Sequence, residues 1–313
     1  MHTTWPSGKI QSIGSRFSLE NREVKVHSVF HSALNLQDTH GGLSTLVMHK
    51  SQMHPSAALV YFTGKSSGFD ELAFTQAEKA MVTEAKLAFD CGIWVSCLGA
   101  NRVHPSEERP PLLPPFGASF LRKQIHILSE LQQEKQISLN VEALFSPETA
   151  TNSITFLVSC NAYLLKKSLQ TADDSLAREA LAGLLGLGPG ATPTGDDFIC
   201  GFLLALHMLS SLCFDRGLQS YCSSIAKNLS TFLHKKTPLT TDISLQLLGL
   251  AAEGLFSQPL IAMAEGFCRL DSDESTWEAL SDYGHSSGLD AGLGFLFGLS
   301  LLLPDFEYKE EVC

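Results

Sequence analysis

The sequence predicts an α+β fold, with an N-terminal mainly β or mixed α+β part (residues 1–165) packed on a C-terminal all-helical part (residues 166–313). Three observations predict it. Short β-branched or alternating runs occupy the first half. Apolar residues at three- and four-residue spacing take over from Thr171 onward. Two matching glycine motifs in the second half each open a long apolar run, as a polar loop feeding a buried helix does. At 313 residues, with 44% hydrophobic and 18% charged residues, the chain is long and apolar enough to bury one large core or two ordinary ones.

Taken in order, Val24–Leu34, Gly42–His49 and Ala57–Thr63 read as strands bounded by Gly, His, Pro and Ser. A helical stretch near Phe74–Phe89 precedes a buried strand at Gly92–Leu98. In Asn101–Phe116 five prolines (Pro105, Pro110, Pro111, Pro114 and Pro115) forbid regular structure, leaving an irregular surface connection or, alternatively, a lid or docking arm. Ser119–Gln133 resumes a helix, and Ser138–Phe145 and Ile154–Ser159 read as strands. Asp173–Leu187 is a helix opened by a Thr171/Asp174 capping box. Leu218, Tyr221, Cys222, Ile225, Leu229, Phe232 and Leu233 mark an amphipathic helix, followed by helices over Asp242–Phe256, Pro259–Arg269 and Asp273–Asp282.

Composition excludes several classes. A net charge of −11 without any basic run excludes a nucleic-acid partner. The N-terminal residues contain no secretory h-region, and the apolar runs Phe198–Phe214 and Ala291–Leu303 are interrupted or too short to span a bilayer, so a non-membrane, cytoplasmic protein is expected. Eight scattered cysteines with no CxxC pair read as reduced core thiols.

Function is sought in the repeated motif. TGDDFICGFLLAL (194–206) and SGLDAGLGFLFGL (287–299) both fit hydroxyl-Gly-x-Asp-x-x-x-Gly-Phe-Leu-x-x-Leu. If the two helices pair through Gly201 and Gly294, their starts meet at one pocket. The candidate catalytic groups are Asp196, Asp197 and His285, the last a loop histidine beside Ser286 and Ser287. The candidate ligand-binding residues are Gly188, Gly190, Thr192, Thr194 and Gly195 in the first loop, with Thr240 and Thr241 in the TTDIS turn. Ser286, Ser287, Gly288 and Asp290 join them from the second motif. Alternating glycines followed by a helix N-terminus present backbone N–H groups to an anion, and Lys235 and Lys236 offer counter-charge. The adjacent carboxylates of Asp196 and Asp197 are also a pair that would hold Mg²⁺. A purely structural reading stands beside this one, since Thr194-x-x-Asp197 and Ser287-x-x-Asp290 both fit capping boxes. Asp196 stands apart, because its counterpart is Leu289 and capping does not require it.

GLGPGATPTGDDFICGF, TTDIS with LGLAAEGLFSQPL, and GHSSGLDAGLGFLFGL resemble the three signature blocks of the AllH-like family, over residues 180–303. The N-terminal half fits that family only loosely, with segments 62–74 and 101–116 as local elaborations. The resemblance implies a carbamoyltransferase subunit working with other protein subunits on a small anionic substrate in allantoin breakdown, where oxalurate and phosphate give oxamate and carbamoyl phosphate. Lys235 and Lys236, followed by Pro238 and Leu239, replace the arginine that often precedes the paired threonines in the family. A non-catalytic ligand-binding or scaffold subunit is the alternative, and a metal-dependent hydrolase a third reading.

Overall fold

A computed structural model describes residues 7–63, 67–72, 74–134, 141–145, 147–210, 216–233, 239–270, 276–277, 280, 283–284, 286–301 and 303; within these, the side chains of 141, 142, 210, 216–219 and 226 are outside the description. The chain divides into two compact units, one ending at Arg109 and one starting at Pro110.

The first unit is a β-barrel. Its strands are β1 (Ser7–Ile13), β2 (Arg22–Val29), β3 (Ala33–Asp38), β4 (Leu43–Val47), β5 (Ala57–Phe62), β6 (Lys79–Val82), β7 (Lys86–Phe89), β8 (Trp94–Ser96) and β9 (Asn101–Arg102). Eight are joined in the order β5-β4-β3-β2-β6-β7-β8-β1, and β1 closes the ring by pairing antiparallel with β5, Gly8 opposite Phe62 and Ile10 opposite Val60. β9 continues the edge beyond β8, opposite Ser12 and Ile13. Period-two alternation turns Ile10, Val24, Val26, Leu34, Leu36 and Val95 into the core, which Phe17 and Phe69 complete. Glu108, fully buried, accepts from the Ser15 N–H at 3.1 Å and from the Ser15 hydroxyl, while the Arg102 guanidinium donates to the carbonyls of Gly14, Ser15 and Phe17. These bonds stitch the chain back to the end of β1 just before the first unit ends.

The expected helix over Phe74–Phe89 is replaced by β6 and β7. Its Ala, Glu, Lys and Leu residues favour a helix locally, but Ala80, Val82, Leu87 and Phe89 alternate into the barrel core, and pairing overrides propensity. In the proline-rich segment, β9 and a 3₁₀ turn at Pro105–Glu108 find room before the Pro110-Pro111 pair.

The second unit is helical: α1 (Ala118–Glu134), α2 (Val141–Phe145), α3 (Ser153–Thr171), α4 (Asp174–Leu184), α5 (Thr194–Ser210), α6 (Arg216–Leu233), α7 (Asp242–Ala252), α8 (Gln258–Cys268) and α9 (Ser287–Ser300). The strands expected at 138–145 and 154–159 are corrected. Residues 135–140 lie outside the description, Val141–Phe145 is helical, and Ile154–Ser159 belongs to α3, whose start is fixed by the Asn152 side chain accepting from the Thr155 N–H at 2.9 Å. The boundary expected near residue 165 therefore falls inside α3, and α1 already belongs to the helical core: Trp277 Nε1 donates to Gln124 Oε1 at 2.9 Å in the interior. The cap of α4 is Asp173, accepting from the Ser175 N–H, in place of the expected Thr171/Asp174 box, because Thr171 still belongs to α3. The helix expected over Asp273–Asp282 falls largely outside the described residues. The six described cysteines are free. No helix among the described residues is long and apolar enough to cross a membrane.

Candidate functional site

The motif helices α5 and α9 pair as the glycine positions require. A Cβ on Gly201 would sit 1.7 Å from the Ala291 carbonyl oxygen, and one on Gly294 would sit 2.0 Å from that of Phe198. Backbone thus rests on backbone at both glycines, and Phe198 and Phe202 flank Phe297. The two helices start at the same end: the hydroxyls of Thr192, before α5, and Ser287, at the start of α9, share a hydrogen bond of 2.8 Å. α7 starts there as well. Its N-cap Thr241 accepts from the Ser244 N–H at 3.1 Å and donates to the Ala191 carbonyl at 2.6 Å. Three helix N-termini, each the positive end of a dipole, converge on one loop.

Both capping-box readings are displaced by one residue. The Pro193 carbonyl accepts from the Asp197 N–H at 3.1 Å and the Ser286 carbonyl from the Asp290 N–H at 2.9 Å, so the helices begin one residue earlier than the boxes require. Ser286, the N-cap of α9, makes no side-chain cap bond. Thr194 and Ser287 are consequently first-turn residues, and Asp197 and Asp290 fall at the fourth position, directed at the helix pair. Both carboxyls are buried, Asp290 to 1% exposure. Asp197 Oδ2 and both oxygens of Asp290 have no hydrogen-bond partner among the described residues. Burial pushes Asp290 up to about 7, against the pull of the nearby Ser286 and Thr194 hydroxyls. Burial, and then the neighbouring Asp290 carboxyl, hold Asp197 well above the usual carboxylate range, with Ser287 and Thr192 pulling the other way.

Asp196 turns elsewhere. Its Oδ1 accepts from the Gly186 N–H at 2.9 Å and its Oδ2 from the Thr240 hydroxyl, which ties the glycine loop to the turn before α7. Burial raises its pKa, and the Thr240, Gly186 and Ser244 donors oppose that rise. Asp196 is thus committed to the glycine loop and the turn before α7, while Asp197 Oδ2 has no such partner. Among the described residues no group of three or more His, Cys, Asp or Glu side chains is placed to hold a metal ion.

Gly186, Gly188 and Gly190 all adopt positive φ (73°, 115° and 100°), which lets the loop turn tightly. Gly195 and Gly288, at matching places in the two motifs, lie against the carbonyls of Leu184 and Leu280, where a Cβ would stand 2.1 and 1.8 Å from oxygen. These two are packing positions. His285, Lys235 and Lys236 lie outside the described residues. Sequence reasoning missed Tyr283 and Ser257. The Tyr283 phenol pKa is pushed up by burial and by Asp197, with Ser257 at the start of α8 opposing. The Ser-Gln-Pro signal of a helix start at Ser257 was available in the sequence.

Two family patterns match the chain. One, described as oxamate carbamoyltransferase subunit AllH, matches residues 184–299, and the other, described as the AllH family N-terminal domain, matches residues 9–102. The chain belongs to the AllH family. The AllH pattern contains all three converging helix starts, and the AllH N-terminal pattern runs from β1 to β9. The loose fit expected of the N-terminal half is thereby corrected: segment 62–74 lies within the family's own first domain. No solved structure matches the chain.

Proposed function

We propose that this chain is a subunit of a carbamoyltransferase of the oxamate type, acting in the cytoplasm in allantoin breakdown, and that it binds a small carbamoyl- or phosphate-bearing anion where α5, α7 and α9 begin. The observation that carries the reading is the convergence of three helix N-termini on a glycine loop. Burial raises the pKa of both Asp197 and Asp290, which weakens the repulsion two carboxylates would otherwise exert on an anion. Thr192, Ser287 and the loop glycines contribute hydroxyls and backbone, and Asp196 with Thr240 and Thr241 holds the loop in place. In the transfer itself, the C–N bond between the carbamoyl carbon and the oxamate nitrogen breaks as a phosphate oxygen bonds to that carbon, and the nitrogen takes a proton. The test is phosphorolysis of oxalurate by the assembly formed with the proteins encoded beside this one. Carbamoyl phosphate should form only when this chain is present, and at least about tenfold more slowly with Ser287→Val. Full activity without the chain would refute the reading.

Dependence on other subunits is supported by α3, where Phe156, Leu157 and Tyr163 are 48%, 44% and 58% exposed. A Phe156→Asp/Tyr163→Asp variant is expected to lose co-purifying subunits while keeping its melting temperature within a few degrees. The scaffold reading draws on Gly195, Gly288 and Asp196, whose contacts are all internal. An assembly that holds together but keeps full turnover in Ser287→Val would favour it.

A further inference from the structure

On the outer face of the barrel a cavity of about 280 Å³ lies over β1. Lys9, Ile10 and Gln11 form its floor, Tyr61 of β5 one wall, and Gly99 with Asn101 of β9 the other. The register explains how these side chains meet. Lys9 stands directly opposite Tyr61 across the β1–β5 pair. The ladder then passes from Ile10 to Ser12, so Gln11 is a bulged residue whose side chain is re-aimed, and on the other edge Ser12 stands opposite Asn101. Gly99 adopts a φ of 74° with nothing within 4 Å of its missing Cβ, which leaves that side of the cavity open. The Lys9 ammonium, the Gln11 and Asn101 amides and the Tyr61 hydroxyl make no hydrogen bond or ion pair to another described residue. Tyr61 is 52% exposed, and no acidic side chain lines the cavity.

A concave site with a few convergent polar groups around an aromatic face defines the chemistry it accepts. The Tyr61 ring stacks on a planar ring, and the Lys9 ammonium attracts an acid group. A side-chain amide donates one hydrogen bond and accepts another, which matches a ring –CO–NH– edge. Cross-strand neighbours have Cα atoms only about 5 Å apart, so ring and ammonium are close and the acid group belongs on the ring itself, not at the end of an arm. We propose that the barrel binds a planar nitrogen heterocycle that has –CO–NH– edges and a carboxylate attached directly to the ring. Tyr61 stacks on it, Lys9 pairs with the carboxylate, and Gln11 and Asn101 read the polar edges. The site is made wholly by the first unit and is independent of the reading of the helix starts.

The test is titration calorimetry on the full chain with four probes. Orotate has all three features; uracil lacks the carboxylate, benzoate lacks the –CO–NH– edges, and uridine 5′-monophosphate carries its acid group on a ribose arm. Orotate should bind at least about threefold more tightly than each of the others. Tyr61→Ala should weaken orotate about tenfold, while Tyr61→Phe, which keeps the stacking face, should hold it within about threefold of the parent. Lys9→Gln should weaken it about three- to fivefold and flatten its dependence on salt. Lys9 and Tyr61 are exposed, so all three variants should keep the parent melting temperature. No orotate binding at millimolar concentration overturns the proposal. So does equal or tighter binding of any other probe, or unchanged orotate binding in Tyr61→Ala or in Lys9→Gln.

Discussion

Asp290 is buried with a pKa near 7, against an ordinary value near 3.8 in an unfolded chain. The folded state therefore holds a proton that the unfolded state has lost between about pH 4 and pH 7, so this group's contribution weakens as pH rises through that window. Asp290→Asn keeps the shape and removes the titration. Its melting temperature is expected to vary less than that of the parent between pH 5 and 7.5, and to exceed it at pH 8; identical pH profiles would contradict this. Asp196 behaves differently, because both of its oxygens have donors. Asp196→Ala strands the Gly186 N–H and the Thr240 hydroxyl, and urea unfolding should show a loss of about 1–3 kcal/mol. That Asp196 differs from Asp290 was legible in the sequence, because its counterpart is Leu289, but the place of Asp290 in its helix was not. Ser-x-x-Asp spacing is the same whether the helix starts at the serine or one residue before it, and only the backbone bond from the Asp290 N–H to the Ser286 carbonyl distinguishes the two.

Among the elements, the α5–α9 pair was legible because close backbone packing demands glycine at fixed offsets, and Gly201 and Gly294 stand at the same offset in both copies. Each has a carbonyl where a Cβ would go, so Gly201→Ala or Gly294→Ala should force the helices apart and cost roughly 1–3 kcal/mol or more. Gly249 in α7 has nothing within 4 Å of its missing Cβ, and Gly249→Ala should instead stabilise the chain by about 0.5–1 kcal/mol. Chemical denaturation of the three variants checks both signs. Other elements were misread for a common reason. Ile154, Thr155 and Val158 favour strands one residue at a time, yet they open a 19-residue helix fixed by a cap at Asn152. Conversely, the Lys79–Val82 and Lys86–Phe89 segments have helix-forming residues that a closed barrel pulls into alternation. In both directions, partners distant in sequence outweighed local preference.

For the whole molecule, the α+β class was readable from the change in periodicity, while the division at Arg109–Pro110 was not. It depends on Glu108 and Arg102 binding back to residues 14–17. Because those bonds and the core around Phe69 are all made by residues before 110, a fragment of residues 1–109 is expected to fold alone. A cooperative melt with a β-type circular dichroism spectrum would be the expected result, and a featureless one would count against it.

The ring closure at β1 carries a consequence for the order of events during synthesis. β1 is made before the other strands of the barrel, yet its neighbours lie roughly 50 to 90 residues downstream: one edge waits for β5, and the other stays bare until β8 and β9 have left the ribosome. Such distant pairings delay the reward for closing a loop, which slows folding. During that wait the Ser7–Ile13 segment is an open template for strand addition, and a chaperone that shields extended segments would find its natural client there.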